Sequence, residues 1–88
     1  MGETTMKIVV TQNDIEQGIR LKACACPVAL AIKRRTSREC EVAGRYMVFR
    51  YDLNTEYDLP ESVGKFVTAF DMGKPVKPFS FELSLGQS

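Results

Sequence analysis

Four cations fall within six residues at Lys33-Arg34-Arg35-Thr36-Ser37-Arg38, the densest polar feature of the sequence. Guanidinium groups spaced this closely can clamp a phosphate or carboxylate through bidentate forks. Like charges so near one another repel unless a counterion or ligand sits among them. A helix ending here would favour cations at its C-terminus through its dipole whether or not a ligand exists. A second cluster, Arg45, Tyr46 and Arg50, falls in and beside a strand-like run. An aromatic ring with arginine on an open sheet face can stack on a base. Lys33, Arg34, Arg35, Arg38, Arg45, Tyr46 and Arg50 are therefore the candidate ligand-binding residues. The net charge is only +1, so the attraction is local and suits a compact anion or an acidic protein loop better than long nucleic acid.

Other chemistry is less well supplied. Cys24-Ala25-Cys26 and Cys40 offer three thiols with no histidine, whereas structural zinc usually takes four Cys or His ligands in spaced pairs. Cys26 and Cys40 read instead as small core residues. A helix N-terminus at Cys26 could lower its pKa and make it reactive, but one thiol without imidazole is a poor catalytic set. Asp14, Glu16, Asp52, Asp58, Asp71 and Glu82 are scattered, and no spacing forces two of them together. Asp14 reads as a first-turn helix charge. Gly44, Gly64 and Gly73 are isolated, so no phosphate-cradling loop is present. No catalytic residue, metal ligand or cofactor is assigned, and the expectation is a protein that is not an enzyme.

The 88-residue length and the balance of 44% hydrophobic with 26% charged residues describe one ordinary folded domain. An odd cysteine count favours a reduced, intracellular setting over a disulfide scaffold. No secretory signal or membrane-length apolar run is seen. The single domain is expected over residues 6–85, with tails at 1–5 and 86–88.

The elements that must position the candidate residues follow from periodicity. Lys7-Ile8-Val9-Val10-Thr11 reads as a strand with Ile8 and Val10 on one face. Thr11 to Asp14 starts a short helix that Gly18 weakens. Cys26 to Arg35 is the central helix, with Pro27 at its first turn and an apolar body that should lie deep. Two alternating runs around Ala43-Gly44 read as a hairpin, with Val42 opposite Arg45 and Cys40 opposite Met47. Its buried face is expected to carry Cys40, Val42, Met47, Phe49 and Tyr51, and its polar face Glu39, Glu41, Tyr46, Val48 and Arg50. Asp52 to Asp58 reads as an acidic loop. Val63, Phe66, Val67 and Phe70 mark an amphipathic helix opened at Leu59-Pro60-Glu61 and stopped at Gly73-Lys74-Pro75. Phe79, Phe81, Leu83 and Leu85 alternate along a last strand. The order βαββαβ with one-faced strands predicts an α+β, ferredoxin-like split β-α-β sheet with both helices on one face. Val28, Leu30, Ile32, Phe49, Phe66, Phe70, Phe79 and Phe81 should share one core.

Two stretches taken together carry a resemblance: Asn13-Asp14-Ile15 with Cys26-Pro27-Val28-Ala29-Leu30-Ala31, and Leu59-Pro60, Phe66-Val67, Ala69-Phe70-Asp71, Gly73 and Pro78-Phe79-Ser80-Phe81-Glu82-Leu83. The set resembles small bacteriophage-encoded proteins to which no activity is attached. The resemblance implies an accessory protein acting in the host cytoplasm, and it assigns no catalytic residue. The expected function is to bind or sequester a host protein or small anionic ligand, as in counter-defence. A small nucleic-acid-binding module is the alternative, and a metal-dependent enzyme built on the scattered carboxylates is the next. Val9, Tyr46 and Val48 on the polar sheet face suggest a homodimer; no membrane partner is expected.

Overall fold

The computed structural model describes residues 5–85. Its elements are β1 (Thr5–Val10), α1 (Gln12–Gln17), α2 (Pro27–Thr36), β2 (Cys40–Ala43), β3 (Tyr46–Phe49), β4 (Asp52–Asp58), α3 (Glu61–Asp71) and β5 (Phe79–Ser84). The class is α+β, with three helices and two antiparallel sheets. Thr5, expected in the leading tail, is the first residue of β1; the rest of both expected tails lies outside the described residues.

Local chemistry explains the helix boundaries. Thr11 caps α1 reciprocally: Asp14 N–H donates to Thr11 Oγ1 at 3.1 Å, and Thr11 N–H donates to Asp14 Oδ2 at 2.8 Å. Gly18 closes the helix in an extended conformation with φ −68°, which any residue could adopt. Its glycine is required by contact instead, because a Cβ there would stand 2.6 Å from Cδ of the Pro27 ring. Gly18→Ala should therefore lower the unfolding free energy by about 1–3 kcal/mol through overpacking, measured by urea denaturation. An unchanged midpoint would show that the loop moves aside freely.

Cys26 caps α2, with Ala29 N–H donating to its sulfur at 3.4 Å and Pro27 in the first turn. Pro27, Val28, Ala29, Ala31 and Ile32 are buried, so the helix lies deep as its composition predicts. Its last turn ends at Ser37 in the left-handed conformation, whose N–H donates to Lys33 O at 2.6 Å. In α3, the expected stripe Val63, Phe66, Val67 and Phe70 is buried, and Gly73 with φ +77° terminates the turn. Phe66 meets Phe79 of β5 at 4.7 Å between ring centroids, which ties that helix to the β1–β5 pair. One core joins these elements; of the residues expected in it, Leu30 and Phe79 are only half-buried.

The hairpin departs from its expected register. Ala43 pairs with Tyr46, Val42 with Met47 and Cys40 with Phe49, so the loop is Gly44-Arg45 rather than Ala43-Gly44. Gly44 takes φ +70°, a conformation that glycine reaches at no steric cost. Because the partner moves by two positions, side chains keep their faces. Cys40, Val42, Met47 and Phe49 are buried as expected. Tyr51 is not: β3 ends at Phe49, and Tyr51 is 63% exposed beyond it.

The larger correction is β4. The stretch expected as an acidic loop is a strand paired with β3 through Tyr46↔Asp58, Met47↔Tyr57 and Phe49↔Asp52, with an irregularity between Met47 and Phe49. β4 occupies the edge of β3 that a ferredoxin-like sheet would offer to β1. The antiparallel pairing of β1 with β5, from Thr5↔Ser84 to Val10↔Phe79, which a ferredoxin-like sheet would also contain, stands here as a separate two-stranded sheet. The strands form two sheets, of order β1-β5 and β2-β3-β4, where one was expected. α2 packs against both β1 and β2 and so bridges the sheets.

Candidate functional site

The seven candidate residues do not form one patch. Lys33 Nζ lies 2.7 Å from Glu39 Oε2 on the surface. Their hydrogen bond raises the lysine pKa and lowers that of the glutamate. Arg50 Nε lies 3.4 Å from Glu41 Oε2. Arg45 and Tyr46 sit at the far end of the hairpin, where Arg45 Cγ would stand 2.7 Å from a Cβ placed on Gly64. There they border a depression shared with Glu56 and Asp58, whose charge opposes an anion.

Arg34 is committed to the fold. It donates from Nη1 and Nη2 to the two carboxylate oxygens of Asp14, and from Nη2 to Val9 O at 2.8 Å. Asp14 is only 2% exposed. Burial is the largest influence on its pKa and pushes it up. The Arg34 hydrogen bonds, the Thr11 backbone and hydroxyl bonds and the Arg34 charge together outweigh burial and hold it below the ordinary value. The expected first-turn charge is therefore also the buried anchor joining α1, β1 and α2.

Arg35 and Arg38 remain. Both line a cleft of about 470 Å³ that opens past the C-terminal end of α2. Thr36 lies between them in sequence, and Thr36 Oγ1 accepts from Arg38 N–H at 3.3 Å while donating to Ile32 O at 2.8 Å. The rest of the lining is Phe49, Tyr51 and Tyr57, with Met6 of β1 and Leu85 just after β5. The cleft thus occupies the seam between the two sheets. Arg38 Nη1 donates to Tyr51 Oη at 2.9 Å. Its Cζ is 5.3 Å from the Tyr51 centroid and 6.0 Å from that of Phe49. Phe49 stacks on Tyr51 at 5.3 Å and 11°, and meets Tyr57 edge-on at 5.7 Å. Among the described residues neither Arg35 nor Arg38 pairs with a carboxylate, and no acid lines the cleft.

Sequence reasoning missed Tyr51 and Tyr57 as site residues. Tyr57 reaches the cleft only because β4 is a strand. Thr36, inside the basic run, was legible by position but not by role. Val9 in β1 and Tyr46 and Val48 in β3 belong to different sheets, so the single open face expected to mediate dimerisation is divided.

The thiols offer no nucleophile at Cys26 or Cys40. Burial raises both pKa values; hydrogen bonds from Ala29 and Val28 N–H only partly counter it at Cys26, and Cys40 is pushed up to about 12. The helix N-terminus does not overcome burial at Cys26. Cys24 is exposed. Among the described residues no three His, Cys, Asp or Glu side chains converge as a metal site. No helix among them is long and apolar enough to cross a membrane. Compared with known proteins, the chain matches no protein-family model, no curated protein and no solved structure.

Proposed function

We propose that this protein binds and sequesters a small anionic ligand in the cleft beside Arg35 and Arg38, without chemical turnover. This is the role of an accessory protein in the host cytoplasm, as its resemblance to small phage proteins implies. One observation carries the reading. Of the four cations in the basic run, Lys33 and Arg34 are neutralised by Glu39 and Asp14, while the two that have no carboxylate partner among the described residues line the same cleft. Arg35 sits in the last turn of a deeply buried helix and Arg38 directly after its Ser37 cap, so binding orders little beyond the side chains themselves. An anion would supply the counter-charge that the described residues do not.

Calorimetric titration with inorganic pyrophosphate tests this. Arg35→Gln and Arg38→Gln should each weaken binding by about 10- to 100-fold, the loss of a charge-assisted hydrogen bond. Lys33→Gln should leave the affinity within about twofold, because its charge is already matched by Glu39. Unchanged binding in an Arg35→Gln/Arg38→Gln double variant with wild-type thermal stability would overturn the assignment.

A further inference from the structure

We infer that the anion is a nucleotide, its base stacked on Tyr51 and its phosphate held by Arg35 and Arg38; this rests on the anion-binding reading of the same cleft. The cleft is divided chemically. Arg35, Thr36 and Arg38 make a cationic, hydrogen-bonding side, and Tyr51 and Tyr57 make an aromatic side. A bare phosphate or a sugar phosphate would use the first side alone and leave the aromatic wall in water. A ligand with both a planar ring and a phosphate uses both.

The geometry around Tyr51 leaves room for that ring. Phe49 covers one face of Tyr51 and is itself only 1% exposed, so the tyrosine ring has a fixed backing. The Arg38 guanidinium carbon lies 5.3 Å from the Tyr51 centroid, 6.0 Å from that of Phe49, and the two rings are 5.3 Å apart. The three centres make a nearly equilateral triangle. The guanidinium thus lies against both rings and not directly across Tyr51 from Phe49. Among the described residues no other ring stacks there, and Tyr51 is 63% exposed. A base laid on that face would extend the Phe49–Tyr51 stack by one plane and place its phosphate next to Arg38. The volume, about 470 Å³, falls in the usual range for small-molecule sites of about 300–1,000 Å³.

The test is titration with adenosine monophosphate, ribose 5-phosphate, inorganic phosphate and a single-stranded oligonucleotide. Stacking on one aromatic residue corresponds to about 5- to 150-fold in affinity. Adenosine monophosphate should thus bind at least about fivefold tighter than ribose 5-phosphate. Tyr51→Leu should abolish that advantage, so that the two ligands bind equally, whereas Tyr51→Phe, which keeps the ring, should retain it. Equal binding of the nucleotide and the sugar phosphate would overturn the nucleotide assignment while the anion site stands. Failure of every phosphate compound to bind would overturn both. An oligonucleotide binding far more tightly per site than the mononucleotide would overturn it in favour of nucleic acid.

Discussion

Phe49→Ala should lower the unfolding free energy by about 3–5 kcal/mol, the usual cost of removing a buried aromatic side chain. Phe49 is 1% exposed and lies in the last position of β3, paired with Cys40 on one side and Asp52 on the other. It stacks on Tyr51, meets Tyr57 edge-on and belongs to the core shared with α2. The neighbouring strands are held by their backbone pairing and can close only part of the void. Small domains have a total stability of about 5–15 kcal/mol, so much of the margin would be lost. Urea denaturation of the variant and the wild type measures it. A difference below about 1 kcal/mol would mean that the site collapses or that Phe49 is peripheral. Because Phe49 also backs Tyr51, Phe49→Leu should fold while weakening nucleotide binding more than inorganic phosphate binding.

The second large effect should come from the Asp14–Arg34 pair. Removing one partner of a fully buried pair costs about 3–5 kcal/mol. Here the Arg34 side chain is 52% exposed and that of Asp14 only 3%. Solvent therefore screens the cation side, and Thr11 still donates to Asp14. Arg34→Gln should cost about 1–3 kcal/mol at neutral pH, the penalty of an under-satisfied buried group. The pH dependence follows from the direction of the Asp14 shift. Its folded-state pKa is held below the unfolded carboxylate value, about 3.9. Its stabilising contribution is thus complete above that unfolded value and is lost as pH falls through the lower folded value. In Arg34→Gln, the Arg34 hydrogen bonds and charge that lower it are lost, the Asp14 pKa rises, and acid destabilisation begins at higher pH. Asp14→Asn should flatten the acid limb. Identical acid limbs in wild type and Asp14→Asn, followed by circular dichroism, would remove Asp14 from this role.

What the sequence determined by itself is local and periodic. The deep α2, the α3 stripe, the β5 alternation and the two faces of the β2–β3 hairpin all follow from which side chains recur at helical or strand spacing. Those faces survived an incorrect loop assignment because a two-residue shift preserves the alternation. The basic run was equally plain. Its division was not: Lys33 and Arg34 find Glu39 and Asp14, the latter twenty positions away in sequence, and only folding decides which cations are left over. The strand β4 lacked a pattern because most of its side chains are exposed. Its pairing with β3 uses backbone groups that every residue carries, so composition did not announce it. With β4 on that edge, β1 keeps only its pairing with β5 and the expected sheet divides. The seam between the two sheets brings Arg35 and Arg38 together with Tyr51 and Tyr57, a cleft made by tertiary contacts among segments that no short-range spacing connects.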